Sequence, residues 1–160
     1  MKWFFQTKES WASVATRLAL GIVMFPHGAQ KMLGWYGGNG FSGTMAFFTE
    51  QMGMPALVAF LVIVGEFLGS LALLMGFLTR FTSASLALIM VGAMTMVHWQ
   101  HGFFMNWFGQ QAGEGYEYHL LTIGLCLSLF MTGGGKFSVD AVIAQRLKSS
   151  SGSQNLTNGS

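Results

Sequence analysis

The sequence predicts an all-α integral membrane protein, a bundle of four transmembrane helices with both termini in the cytoplasm. Three observations carry that reading. Only 9% of the 160 residues are charged while 52% are hydrophobic, where an ordinary soluble domain carries about 25% charged residues. With a mean hydropathy of +0.49, the apolar residues gather into four long runs with charges at their ends, so the bilayer is the better solvent for most of the chain. In a four-span arrangement Lys2, Lys8, Arg17, Arg80, Lys136, Arg146 and Lys148 fall on one side and only Lys31 on the other, and the positive-inside rule makes the crowded side cytoplasmic.

Residues 1–148 read as one membrane domain. The opening MKWFFQTKE is basic and aromatic, an interfacial anchor. The first helix, 11–33, is long enough to cross about 30 Å of hydrocarbon at about 1.5 Å per residue. Arg17 in its first turns, with no small-x-small cleavage site after it, favours an uncleaved anchor over a signal peptide. Pro26 should kink this helix just before His27. Residues 34–54, with GWYGGNGFSG, read as a glycine-rich loop. Gly38, Gly40 and Gly43 satisfy GxGxxG, but an apolar helix precedes them instead of a strand, which excludes a dinucleotide fingerprint.

The second helix, 55–78, starts at Pro55, a good first-turn residue, and holds Glu66 as its one ionisable group. Gly65 and Gly69 flank that carboxylate in the small-xxx-small pattern of closely packed membrane helices. A tight turn ends at Arg80, whose cation would complement the last carbonyls of the second helix. Helices 81–101 and 116–133 complete the bundle. Beyond Gly133-Gly134-Gly135, residues 138–148 suit an amphipathic helix on the membrane surface. Residues 149–160, SSSGSQNLTNGS, read as a disordered polar tail.

Two function classes are excluded early. The scattered basic residues form no face for nucleic acid, and Cys126 is the one cysteine, so thiol redox chemistry within the chain has no partner sulfur. No metal site is expected, since the twelve methionines are spread over every helix and read as core and lipid-facing residues. The polar chemistry concentrates elsewhere. The connection 98–119 holds His98, His101 and His119 of the four histidines, with Glu114 and Glu117. His27 and Lys31 share a face at i, i+4, as His98 and His101 do at i, i+3. Glu66 stands out because an unpaired carboxylate within the bilayer costs about 2.5 kcal/mol or more. It must be protonated, paired or beside a polar cavity. The candidate pocket in the outer half of the bundle therefore comprises His27, Lys31, Glu66, His98, His101, Glu114, Glu117 and His119.

Several stretches, in this order and spacing, resemble the DoxX family. They are Arg17-Leu18-x-Leu20-Gly21, Gly28 with Lys31, Glu66 with Gly69, the turn from Gly76 to Arg80, the GFF at Gly102, GEGYEYHLL from Gly113, and Gly133-x-Gly135-x-x-Ser138-x-Asp140. The resemblance reaches nearly the whole chain up to Leu147. It implies a small four-helix protein of the bacterial or archaeal inner membrane, associated with thiosulfate:quinone oxidoreductase or quinol oxidase complexes. By position it singles out Lys31, Glu66, Glu114, Glu117 and His119 as the polar residues to test.

Two functions follow as expectations. One is a membrane redox component that holds a quinone headgroup, since quinone carbonyls need hydrogen-bond donors and their reduction needs a titratable relay. Trp99, Phe103, Phe104 and Tyr116 could wall the ring. Such a component needs a redox partner subunit. Haem held by two histidines on facing helices is a variant whose distances the sequence does not fix. The alternative is a non-enzymatic scaffold or small-solute transport subunit.

Overall fold

A computed structural model describes the backbone of residues 2–157 and the side chains of residues 3–149. Among the described residues the regular structure is entirely helical: α1 (Lys2–Phe5), α2 (Trp11–Leu33), α3 (Gly40–Ala46), α4 (Ala56–Met75), α5 (Thr79–Ala93), α6 (Glu117–Thr132) and α7 (Val139–Thr157). Two π turns, Phe47–Gln51 and Met94–His98, and two 3-10 turns, Trp35–Gly37 and Trp99–His101, extend or join them. Helices α2, α4, α5 and α6 form a ring in which each packs against two others. Leu20, Met24, Leu73, Leu86, Met90, Cys126 and Leu129 fill its centre.

The ring is tightest between α2 and α4. A Cβ on Gly28 would lie 2.6 Å from Phe67 Cα, so this glycine lets the two backbones touch. Gly65 and Gly69, expected to mediate that kind of approach, instead face the side chains of Ile89, Thr82 and Leu86 on α5. Pro26 is accommodated within α2, which starts at Ser10, whose hydroxyl accepts from Ala12 N–H at 3.1 Å and Ser13 N–H at 3.4 Å.

One end of the ring carries the basic residues and is sealed by hydrogen bonds. Arg17, 3% exposed, donates to the carbonyls of Gly134 (2.9 Å), Leu73 (3.3 Å), Leu74 (2.5 Å), Lys136 (3.3 Å) and Phe137 (3.1 Å). It thereby satisfies the last carbonyls of α4 and ties them to the glycine loop before α7. Arg80 has a different task from the one expected. Its guanidinium donates to Gln6 O at 3.1 Å and Phe130 O at 2.5 Å and lies 4.6 Å from the centre of the Trp3 ring. Arg80 therefore serves the end of α6 and docks the opening segment, because Arg17 already occupies the end of α4. Asp140, 1% exposed, accepts from Leu78 N–H and Thr79 N–H, both at 2.8 Å, and so caps α5 from outside the helix. Gly76 (φ +66) makes the turn possible: a Cβ there would lie 2.4 Å from Ser138 Cβ.

Three segments depart from the sequence reading. Residues 34–54 are not an open loop, since α3 and the first π turn fold over α2 and α4. The glycines that suggested a loop cluster before Phe41, and beyond it the apolar spacing is helical, bringing the Phe41 ring within 6.2 Å of Phe60. The second helix stops at Met75 and the third starts at Thr79, because Gly76 and the Asp140 cap fix that corner. Helix α7 passes the expected stop at 148 and runs to Thr157. No proline interrupts the serine-rich stretch, so nothing removes a helical amide there. The rest of the expected tail, 158–160, lies outside the described residues.

Large apolar side chains point away from the ring on all four of its helices. Ile22 on α2, Leu57 on α4, Leu88 on α5 and Met131 on α6 are each 63–73% exposed, an apolar surface that water would not stabilise. Among the described residues, two helical runs are both long and apolar enough to cross a membrane: Ala56–Met75 and the continuous Thr79–His101. Helix α2 has the length, but it carries Arg17, His27, Gln30 and Lys31. Helix α6, with 16 residues, is short of the roughly 20 that a span needs.

Candidate functional site

The end opposite the basic seal gathers polar side chains from all four ring helices. Glu66 comes from the middle of α4 and is 3% exposed. Because Gly28 brings α2 onto the α4 backbone, Lys31, one turn later, reaches it. The Lys31 Nζ to Glu66 Oε2 distance is 2.5 Å, which answers how the bilayer tolerates this carboxylate. His27, one turn before Lys31, lies with its ring centre 6.2 Å from Tyr118.

The second half of the cluster comes from α5 and α6. A π turn, Met94–His98, ends the α-helical ladder of α5, and such insertions re-aim side chains and recur at functional sites. Here it carries His98 against His119, with ring centres 4.2 Å apart at 39°. His98 Nδ1 lies 2.8 Å from the carbonyl oxygen of Glu114. A carbonyl only accepts, so Nδ1 bears the proton and Nε2 is the free acceptor of the neutral ring. His119, 6% exposed, has a buried Nδ1 with no hydrogen-bond partner. Tyr118 donates to Met24 Sδ at 3.4 Å and stands edge-on to His119. These residues line one end of a groove of about 1000 Å³ that runs between α4 and α5.

The sequence-derived candidates separate into two sets. His27, Lys31, Glu66, His98 and His119 all face the groove, with part of Glu114. The Glu114 carboxylate, however, accepts from Asn106 N–H at 2.7 Å, and Glu117 accepts from Met105 N–H at 3.0 Å and Trp107 Nε1–H at 3.3 Å. Both acids fold the connecting loop. His101 packs against Gly113, where a Cβ would lie 2.5 Å from its Nε2, and belongs to that loop as well. Trp99 stacks on Tyr116 at 5.0 Å and Phe103 stands edge-on to Tyr116, so these aromatics also pack on one another.

Tyr118 and Met24 were not singled out by sequence. The available signal was the YEYH repeat, in which Tyr118 sits beside His119. A haem does not fit the histidine pair, because rings 4.2 Å apart leave no gap for an iron and its porphyrin. Among the described residues no three His, Cys, Asp or Glu side chains converge as metal ligands.

A helical ring with outward apolar faces, sealed at one end and polar at the other, is a small membrane protein. It belongs to the DoxX family, whose family description, DoxX, matches residues 12–99. That match takes in α2, α4 and α5 with Lys31, Glu66 and His98, and stops before His119. The chain is 28% identical over 127 residues to the Bacillus subtilis (strain 168) protein named "Putative oxidoreductase CatD", covering 79% of this chain and 83% of that one. It is 35% identical over 114 residues to "Inner membrane protein YqjF" of Escherichia coli (strain K12), covering 71% of this chain and 82% of that one. No solved structure matches it.

Proposed function

We propose that this chain is a four-span protein of the bacterial inner membrane, with both termini cytoplasmic, that acts as a membrane redox component by holding the ring of a quinone. The observation that carries the reading is the unpartnered His119 Nδ1, buried beside His98 at the head of a lipid-facing groove. A buried polar atom without a partner is costly, and a ring carbonyl or hydroxyl at this place would complete it. The relative named as an oxidoreductase and the one named as an inner membrane protein support the class and the location. The basic end, with Arg17, Arg80 and Lys136, takes the cytoplasmic side.

A bound quinone would supply two-electron, two-proton carrier chemistry, with its electrons coming from a partner subunit. The chain's own residues bind and manage protons. His119 and the free Nε2 of His98 offer hydrogen bonds to the two states of an oxygen. Glu66, held by Lys31 in an interior out of bulk water, is the carboxylate that can take up or release a proton there. Extraction of protein purified in mild detergent or lipid discs tests this reading. A near-stoichiometric quinone in the wild type, lost in His119→Phe, is the expected result. If the wild type yields none and binds none on titration, the protein is a scaffold or a small-solute subunit instead.

A further inference from the structure

Resting on the ring site just described, we infer that the α4–α5 groove seats a long isoprenoid tail belonging to a ligand with an uncharged head, and that this ligand enters sideways from the bilayer. The groove extends along α4 from Val58 to Ala72, a rise of about 21 Å. That is about two-thirds of the full hydrocarbon thickness of about 30 Å, and an ordinary phospholipid chain occupies only one leaflet, about half of it. A tail that fills the groove must therefore be longer than an acyl chain.

Two further features select the ligand. Away from the polar head, the walls are almost wholly apolar. Ser85, one exception, spends its hydroxyl on Phe81 O at 3.0 Å. Leu61, Leu68 and Leu88 line the groove and are themselves 53–73% exposed, so its side is open to lipid. At the head, Lys31 is the one Lys or Arg among the described lining residues, and Glu66 already holds its ammonium. No permanent cation is left to pair with a phosphate, which disfavours phospholipids and favours a neutral, hydrogen-bonding ring. The groove exists because side chains are missing. A Cβ on Gly92 would meet nothing within 4 Å.

Gly92 supplies the test, since it lies six residues, about 9 Å along the helix, from His98. Binding is measured in lipid discs by native mass spectrometry, with concentrations expressed as mole fraction in the lipid so that partitioning cancels. Three probes are used: one quinone ring with a long isoprenoid tail, the same ring with a short tail, and a long isoprenoid alcohol without the ring. The wild type should bind the long-tailed ring at least tenfold more tightly than the short-tailed one. Gly92→Trp should remove that advantage and leave short-tail binding unchanged, and Gly92→Leu should remove part of it. Tail-independent binding in the wild type, or an equal loss of both rings in Gly92→Leu, overturns the groove and leaves the ring site standing. If the ringless alcohol binds as tightly as the long-tailed ring and Gly92→Trp blocks both, the ring reading falls and the groove stands. Retained phospholipid, or a change of oligomeric state in Gly92→Leu with no effect on the probes, assigns the groove to a lipid or a protein partner and overturns the inference.

Discussion

The Lys31–Glu66 pair makes an asymmetric prediction, because the two side chains are not equally buried. The side chain of Glu66 is 4% exposed and that of Lys31 is 25% exposed, with Nζ and Oε2 2.5 Å apart. Removing one partner of a buried pair costs about 3–5 kcal/mol, chiefly because the other charge is stranded. Lys31→Met strands the deeper charge and should cost near that full amount. Glu66→Leu strands an ammonium on a flexible stem that can swing toward the surface, and should cost less than half as much. The double variant strands nothing and exchanges an ion pair for apolar atoms, a change that is often neutral or stabilising. It should unfold at or above the wild-type temperature, so that the interaction energy between the sites equals the two single costs together, about 4–7 kcal/mol. Thermal unfolding of the four proteins in one detergent measures all of this. Quinone content, measured in parallel, should vanish in both variants that lack the carboxylate, although the double variant is stable. Glu66→Gln, which keeps shape and hydrogen-bonding capacity, should remain folded and lose ligand as well. Equal costs for the two single changes, summing to the cost of the double, would refute the pair as drawn. Full ligand content in Glu66→Leu would remove Glu66 from the site.

Reporter fusions at residues 45 and 108 should read as extracytoplasmic and fusions at 80 and 150 as cytoplasmic; a cytoplasmic signal at residue 45 would overturn the orientation. His119→Phe should keep or raise the unfolding temperature while losing quinone, because it removes a buried nitrogen that has no partner. A fall of several degrees would instead mark the ring as a structural polar residue. Gly28→Ala places a Cβ 2.6 Å from Phe67 Cα and should cost about 1–3 kcal/mol by overpacking. It should also weaken Lys31–Glu66 coupling in the same thermodynamic cycle. Arg17→Lys should lower folded yield in membranes more than Lys148→Gln, since a single ammonium cannot reach the five carbonyls that the guanidinium holds.

The parts of the fold legible in sequence are those that each segment decides alone. Apolar length and charge position mark the long helices, and the cost of a carboxylate in hydrocarbon picks Glu66 and demands a partner. Lys31 was available as that partner because it sits one helical turn beyond Gly28. What escaped depends on where a side chain finds its hydrogen bonds across the fold. Glu114 and Glu117 look like site acids in the string GEGYEYH, yet their oxygens meet the amides of Asn106 and Met105. Only the folded course of that loop puts those amides within reach. Arg17 and Arg80 show the same effect from the basic side. Either could reach the end of α4 by sequence, and the glycine loop before α7, which supplies three further carbonyls to Arg17, decides between them. The groove was hidden for a different reason. Gly65 and Gly69 read in sequence as contact points, since a missing side chain invites a neighbouring helix, and Gly92 stands in no such pattern. Gly65 and Gly69 do meet α5, through the side chains of Ile89, Thr82 and Leu86, whereas a Cβ on Gly92 would meet nothing within 4 Å, and there the absence leaves a channel. A glycine-containing membrane helix thus specifies either a tight joint or a binding surface. In this bundle Gly28 makes the joint that sets the Lys31–Glu66 pair, and Gly92 leaves the space that leads to it.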